Sequence, residues 1–316
     1  MLSVKSKQIN IDYLKKNGLK IVVGLGRLIL FALLTFVILY PMFRQFTTMF
    51  MMPEDMYDAS VQYIPKHFTF ENVIQAARLL DLAETYPLTI GFTLLISGIQ
   101  MMSSTLVGYG IARFKFKFNT LLLLLAIISI VLPPVILQIP IYTLFRNFRL
   151  FGLIPLLTKE GVGLSFIDTP IPMLVLAIFC SGYRCGFYIL IMRQYYKTMP
   201  IELEEAAYID GAGPFKAFLR VMLPSSVTMM VTIFLFGFVW TWLDTTYTDL
   251  FMGEIPLMSN VARALNQLHE GGASDEVSRN LIAYAGVLFL ILPLIILYLL
   301  TQKFFVQSIE RSGLVG

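Results

Sequence analysis

The segment Pro200–Pro224 reads PIELEEAAYIDGAGPFKAFLRVMLP, and it decides how the whole chain is interpreted. A proline followed by three glutamates is typical of a helix N-terminus, where the helix dipole favours negative charge. Gly211 and Gly213 end such a helix, and Pro214 prevents its continuation. The segment 200–214 is therefore predicted to be a short, rigid helix between two long apolar runs.

The composition places those runs in a membrane. The chain has 316 residues, of which 57% are hydrophobic, and its mean hydropathy is +0.75. Six apolar runs are long enough to cross a bilayer as helices. They lie at about 21–43, 87–109, 119–140, 171–192, 222–243 and 281–302. We predict an all-α membrane protein in which one six-span domain, 21–302, stands between the tails 1–20 and 303–316.

Charge is distributed unevenly between the loops. The two tails, counted with Arg27 near the start of span one, and the loops after spans two and four carry 15 basic and 6 acidic residues. The alternate loops carry 8 basic and 14 acidic residues. Because basic loops stay in the cytoplasm, both termini and the segment 200–214 are expected there. This topology accounts for the net charge of +4 without a nucleic-acid partner.

The segment 200–214 could lie on lipid or dock against protein. A lipid-surface helix would need lysines and large apolar residues, but this one is acidic and contains Ala206 and Ala207. Anionic lipids of the inner leaflet would repel it. The pattern therefore favours docking against a protein.

The spacing in this segment resembles the EAA signature of the membrane subunits of bacterial ABC importers. The matching residues are Glu205-Ala206-Ala207, Gly211 and Val221-Met222-Leu223-Pro224, with Val221 where the family has isoleucine. Two stretches are similar to the carbohydrate branch, particularly the smaller permease of maltose-type systems. They are VLPPVILQIPIYTLFRNFRLFGL, at 131–153, and TQKFFVQSIERSGLVG, at 301–316. The resemblance covers about 85–316.

The resemblance implies the type I ABC importer permease architecture, with a cytoplasmic coupling helix, in the bacterial cytoplasmic (inner) membrane. It implies that the contact with the ATPase is made by Glu204, Glu205, Ala206, Ala207, Asp210 and Gly211. The implied partners are a second homologous permease, two copies of an ATP-binding subunit, an extracytoplasmic solute-binding protein and membrane lipid. ATP and Mg would be held by the ATP-binding subunits, so this chain would bind no cofactor and would not be an enzyme.

Polar and aromatic residues in or beside the spans are candidates for the substrate path. They are Gln100, Ser104, Gln138, Arg184, Trp242 and Asp244. The polar side chains could equally be helix–helix hydrogen bonds. Arg184, deep in span four, could pair with an acid of a second subunit, extend to water, or contact the solute.

Three further patterns leave alternatives open. Pro133, Pro134 and Pro140 indicate either a packing kink or a broken helix along the path. Trp240 and Trp242 suit an interfacial belt or sugar stacking, and Trp242-Leu243-Asp244 lacks the amide of the family's Trp-Asn-Asp/Glu. Cys180 and Cys185 would point to different faces of one helix, so no disulfide is expected. Short loop helices are expected near 70–81 and 261–269.

Several classes of enzyme are excluded by missing motifs. The chain has no G-x-x-x-x-G-K-[ST] for nucleotide phosphates and no G-x-S-x-G elbow. Its two histidines, His67 and His269, lie in predicted external loops, so no metal site is expected. We expect an ATP-driven importer subunit that moves a carbohydrate, with an oligosaccharide favoured, by alternating access. A permease for another solute such as a peptide, and a non-transporting scaffold or receptor, remain alternatives.

Overall fold

The computed structural model describes residues 2–149, 163–182, 184–253, 255–257 and 276–313. Across these ranges the ordered structure is helical, and the only β pairing is two isolated bridges. The chain divides into two compact units. Met1–Ala76 with Gly272–Ala285 forms unit one, and Ala77–Gly271 with Gly286–Gly316 forms unit two. The helix expected near 261–269 and the tip of the C-terminal tail lie outside the described residues.

The described helices differ widely in length. They are α1 (Leu2–Thr48), α2 (Pro53–Tyr57), α3 (Glu71–Leu79), α4 (Leu82–Arg113), α5 (Asn119–Val131), α6 (Pro134–Arg146), α7 (Ile171–Ile178), α8 (Cys185–Thr198), α9 (Glu202–Ile209), α10 (Pro214–Ala217), α11 (Leu223–Ser225), α12 (Val227–Trp242), α13 (Thr246–Phe251) and α14 (Glu276–Gly313). A π-helical turn, Phe218–Met222, joins α10 to α11.

Three described helices are long and apolar enough to cross a membrane, and two bent pairs raise that number to as many as five. The three are at Lys20–Thr48, Leu82–Arg113 and Glu276–Phe304. The expected third span is bent by 108° between α5 and α6, where Pro133 and Pro134 interrupt the helical hydrogen bonds. The expected fifth span is bent by 75° before α12.

The expected fourth span, 171–192, is broken rather than continuous. The backbone N–H groups of Ser181 and Gly182 both donate to the Leu176 carbonyl, at 2.9 and 3.0 Å, and this ends α7. Cys180 and Arg184 then take left-handed backbone conformations, with φ of 54° and 66°, before α8 begins. The apolar composition of the run indicates burial, but it gives no signal of this break.

Unit one is fixed by polar contacts in the loop after α1. The Asn72 amide donates to the carbonyls of Met49 and Met51, both at 2.9 Å. The Asp55 carboxylate, 1% exposed, accepts the backbone N–H of His67 at 3.0 Å and lies 2.8 Å from its ring Nδ1. These contacts fold the loop onto the end of α1.

Unit two is organised around α4, which packs against α7, α8 and α12. Small and polar residues recur along its buried side, at about four-residue spacing. They are Thr85, Thr89, Thr93, Ser97, Gln100 and Ser104. Such residues let helix backbones approach closely. A Cβ added at Gly108 would lie 2.6 Å from the Cβ of Met192, which shows how tightly α4 meets α8.

Candidate functional site

The coupling segment, defined as residues 200–214, consists of α9 and a glycine turn. At its end the Ala212 N–H donates to the Ala207 carbonyl at 2.9 Å, and the Gly211 N–H donates to the Tyr208 carbonyl at 3.0 Å. Gly211 has φ of 78°. This is the Schellman pattern, in which the left-handed position favours glycine because a side chain there would be strained. Gly211 therefore contributes its backbone conformation, which ends α9.

The two sides of α9 have different environments. Glu204 and Ala207 are buried, whereas Glu205, Ala206, Asp210 and Gly211 are exposed. Ile209, on the exposed side, is 86% exposed. The six residues predicted for the ATPase contact therefore separate into two that face the protein and four that face outward.

Glu204 is held by the end of α4. Its Oε1 lies 2.8 Å from Nε of Arg113, and the two side chains are 6% and 10% exposed. The atoms are close enough for an ion pair, although the Nε–H direction departs from that of a hydrogen bond. Arg113 also donates from Nη2 to the Met199 carbonyl at 2.8 Å. The charged pair links α9 to the last turn of α4.

Aromatic rings support the coupling segment from behind. The ring of Tyr109, on α4, lies 5.3 Å from that of Tyr196 and 4.6 Å from that of Phe218, measured between centroids. Phe218 begins the π-helical turn, and Met222 at its end is fully buried. The rings of α4, α8 and the turn therefore form one packed cluster that positions the segment.

A second group of candidates meets near the centre of unit two. Gln100, Trp240 and Asp244 line one cavity, together with Tyr188 and Tyr247. Its volume is about 20 Å³, roughly the space of one water molecule and far less than a sugar ring needs. This cavity, called the closed cavity, is therefore too small in this structure to hold a sugar ring.

Asp244 lines this cavity, and Arg184 contacts one of the rings that line it. The Asp244 carboxylate accepts backbone N–H groups from Thr246 at 3.2 Å and from Thr248 at 3.0 Å, which caps α13. The Arg184 guanidinium lies 4.1 Å from the ring centroid of Trp240, in a cation–π contact. The predicted polar residues Gln100 and Asp244 thus come together, with Arg184 one ring away.

The other predicted path residues lie elsewhere. Trp242 is fully buried, and its indole N–H donates to the Leu290 carbonyl at 2.9 Å, so it belongs to the packed core and to no interfacial belt. Ser104 lies 3.2 Å from the Cys180 sulfur, between α4 and the break in span four. Gln138 is half-buried on α6.

One expectation about the cysteines fails for a geometric reason. Because span four is broken between them, the thiols of Cys180 and Cys185 come within hydrogen-bonding reach of each other. They do not point to different faces of one helix. Both thiols are free.

Residues 104–311 match the family described as binding-protein-dependent transport system inner membrane component. The match covers about two thirds of the chain and includes the coupling segment, the closed cavity's Trp240 and Asp244, and Arg113. This chain belongs to that family. It is a multi-pass membrane permease subunit, and the resemblance stated from the EAA spacing is confirmed. As a permease of this family it is not itself catalytic, and it works with an ATPase and a solute-binding protein.

The permease is similar to curated relatives along most of its length. It is 26% identical over 279 residues to the probable ABC transporter permease protein YurM of Bacillus subtilis (strain 168), covering 88% of this chain and 84% of YurM. It is 25% identical to the melibiose/raffinose/stachyose import permease protein MelC of the same organism, covering 82% of this chain and 86% of MelC.

A solved structure supports the fold. The permease aligns with a chain of a bacterial ABC transporter involved in the import of the acidic polysaccharide alginate, with a TM-score of 0.65. The alignment covers 90% of this chain and 96% of that chain, at 16% identity. The permease therefore has the type I ABC importer fold that the sequence predicts.

The observed roles of Arg113 and Trp240 are not predicted by the sequence. Arg113 is one of the basic residues that set topology, although its position at the end of an apolar run is also a signal for a terminal ion pair. Trp240 and Trp242 form one pair in the sequence. Nothing in their spacing distinguishes the tryptophan that lines the cavity from the one that fills the core.

Proposed function

We propose that this permease imports a carbohydrate, with an oligosaccharide favoured, by alternating access. An extracytoplasmic binding protein delivers the solute, a second homologous permease completes the pathway, and two ATP-binding subunits hold ATP and Mg. The orientation follows the charge bias, with both termini in the cytoplasm. The sugar class is supported by the solutes for which MelC and the alginate importer are named.

The observation that carries the proposal is the two-sided coupling segment. Its inward side is fixed by the Arg113–Glu204 pair, while Glu205, Ala206 and Ile209 remain exposed. Small and acidic residues on a rigid exposed helix suit a cleft in an ATPase, in which Glu205 meets a basic group. Glu204 and Ala207 then act by positioning the helix rather than by touching the ATPase.

The closed cavity at Gln100, Trp240 and Asp244 is the proposed solute contact region of this subunit. Amide, carboxylate and aromatic groups are those that bind sugar hydroxyls and ring faces. Its lining comes from α4, α7, α8, α12 and α13, so these helices would have to move apart to open it. The break between Ile178 and Cys185 separates α7 from α8. Arg184 lies at this break and contacts Trp240, so such a motion would change the Arg184–Trp240 contact.

The test is to purify the intact transporter with its binding protein and to measure ATP hydrolysis. Candidate solutes are first screened by thermal shift of the binding protein, with oligosaccharides, peptides and polyol phosphates as separate panels. We expect an oligosaccharide to stabilise the binding protein and, with it, to stimulate the ATPase. Stimulation of ATP hydrolysis by a peptide would show that the imported solute is a peptide and not a carbohydrate. If the purified chain did not associate with an ATPase or a binding protein, the scaffold alternative would be favoured.

A further inference from the structure

A second cavity lies at the end of α1, in unit one, and its chemistry differs from that of the closed cavity. Its volume is about 590 Å³, which lies within the usual range for a small-molecule site. Arg44, Gln45 and Gln62 line it with Tyr40, Tyr63 and Tyr284. One cation, two amides and three phenol groups therefore face one space.

The cavity is suited to an anion. Among the described residues that line it, none is acidic. Within the part of the chain that the structure describes, no carboxylate lies within ion-pair distance of Arg44. A guanidinium presents a planar fork of N–H donors that matches phosphate or carboxylate oxygens. Glutamine amides and tyrosine hydroxyls beside it can bond neutral hydroxyl groups.

Tyrosines tie the loop to the helix at this cavity. The Tyr63 hydroxyl lies 3.4 Å from the Tyr40 hydroxyl. Their rings meet edge to face, with centroids 6.1 Å apart. Tyr63 belongs to the loop that the Asp55–His67 contacts fold onto α1. The cavity is thus a formed part of unit one.

The position of the cavity identifies the source of the anion. The apolar part of α1, Lys20–Thr48, has 29 residues. At 1.5 Å per residue it is about 43 Å long, whereas the hydrocarbon core of a bilayer is about 30 Å thick. The last turns of α1, which carry Tyr40 and Arg44, therefore reach headgroup level. Tyrosines are typical of that level.

An apolar surface beside the cavity can hold acyl chains. Leu39, Met42, Phe43 and Phe46 are each about half exposed on the same turns of α1. A phospholipid could therefore lie with its phosphate at Arg44 and its chains along these residues. A soluble anion would gain nothing from that surface.

From these observations we propose that the cavity at Tyr40, Arg44 and Tyr63 is a binding site for the phosphate headgroup of an anionic phospholipid such as phosphatidylglycerol. Arg44 binds the phosphate oxygens, and Gln45 and Gln62 bond the headgroup hydroxyls. This site is independent of the solute that the permease imports.

The test compares lipid retention by three forms of the purified transporter: wild type, Arg44→Gln and Arg78→Gln. Arg78 is an exposed arginine outside the cavity, so Arg78→Gln makes the same charge change and serves as the matched control. Each form is placed in phosphatidylcholine nanodiscs containing a minor fraction of phosphatidylglycerol, and bound lipid is counted by native mass spectrometry. We expect Arg44→Gln to weaken phosphatidylglycerol binding about tenfold or more, since it loses charge-assisted hydrogen bonds, and Arg78→Gln to leave it unchanged.

Two further arms distinguish a lipid headgroup site from a general charge effect and from a site for a soluble anion. Arg44→Lys keeps the charge but loses the fork, and we expect intermediate binding. Soluble glycerol phosphate, added to phosphatidylcholine nanodiscs, should not bind in an Arg44-dependent way. Equal loss of lipid in Arg44→Gln and Arg78→Gln, or no loss in either, would overturn the proposal. Arg44-dependent binding of soluble glycerol phosphate without lipid preference would also overturn it in favour of a soluble anion.

Discussion

At the residue scale, the Arg113–Glu204 pair separates the two glutamates of the coupling segment. Glu204 is 6% exposed and faces Arg113, whereas Glu205 is exposed. Because Glu204 and Glu205 are both acidic and adjacent, the sequence does not predict different roles for them. In the structure, Glu204 contacts Arg113 and positions the helix, whereas Glu205 is available to a partner protein.

We predict that Glu204→Gln lowers the stability of the purified permease by about 3 kcal/mol, because Arg113 would be left as a buried charge without its counter-charge. Thermal unfolding in detergent measures this. The matched variant Glu205→Gln should unfold at the wild-type temperature but lower solute-stimulated ATP hydrolysis. If Glu205→Gln destabilised the chain as much as Glu204→Gln, the division between the two residues would be wrong.

Asp55 provides a prediction on pH. Burial acts to raise the pKa of Asp55, but hydrogen bonds from the backbone and ring of His67 outweigh it, so the pKa lies below the ordinary value of 3.8. Since folding lowers this pKa, the contribution of Asp55 to stability is present above pH 3.8 and is lost as the pH falls through the lowered value.

We therefore expect the loop 53–70 to open in acid. Pepsin digestion of permease in proteoliposomes between pH 2 and 5 tests this, with Asp55→Asn as the reference that has no carboxylate to titrate. Cleavage in the loop should rise as the pH falls in the wild type and should stay high at every pH in Asp55→Asn. The same pH profile for both forms would contradict the role of Asp55.

At the element scale, the packing of α4 against α8 depends on glycine. A Cβ at Gly108 would lie 2.6 Å from the Met192 Cβ and 3.0 Å from the Arg193 backbone nitrogen, whereas a Cβ at Gly110 would meet nothing within 4 Å. The two glycines are two residues apart on one helix, so they differ mainly in what they face.

Gly108→Ala should destabilise the permease by about 1–3 kcal/mol, because the backbones of α4 and α8 would have to move apart. Gly110→Ala should be neutral, or stabilising by up to about 1 kcal/mol through its better helix propensity. The melting temperatures of Gly108→Ala and Gly110→Ala, measured in the same detergent, test this difference. Equal melting temperatures would mean that α4 and α8 do not meet closely at Gly108.

The breaks in the helices also belong to this scale. Pro133 and Pro134 predicted an interruption in span three, and the 108° bend between α5 and α6 is there. No proline occurs between Ile178 and Cys185, yet span four is broken there, at Cys180 and Arg184. A proline signals its own missing hydrogen bond, whereas this second break depends on hydrogen bonds that form only in the folded chain.

At the scale of the whole molecule, the charge bias predicts which loops face which side. We expect Ile64→Cys, in a background with Cys180 and Cys185 replaced by serine, to react with an impermeant thiol reagent in intact cells. Lys117→Cys should react only after permeabilisation. Both positions are exposed, so access to the reagent depends on the side of the membrane. The reverse pattern would overturn the orientation and place the coupling segment on the wrong side for an ATPase.

Composition and local spacing determined much of this protein. Apolar runs long enough to cross a bilayer required helices, because an unpaired backbone in lipid is too costly. The EAA spacing and the Gly211 turn are local features, so the resemblance that indicates the family needs no knowledge of packing. Gln100 is a candidate because a polar group in an apolar span needs a partner. Asp244 is one because it ends the Trp242-Leu243-Asp244 run.

Only the tertiary structure decided which side chains contact one another. It paired Arg113 with Glu204, separated Trp240 from Trp242, brought Cys180 and Cys185 together, and closed the cavity at Gln100. Each outcome depends on side chains distant in sequence, or on a helix break that no single residue type requires. Hydrophobicity is a property of each residue and can be read along the chain, whereas a contact is a property of two residues and exists only once the helices have packed.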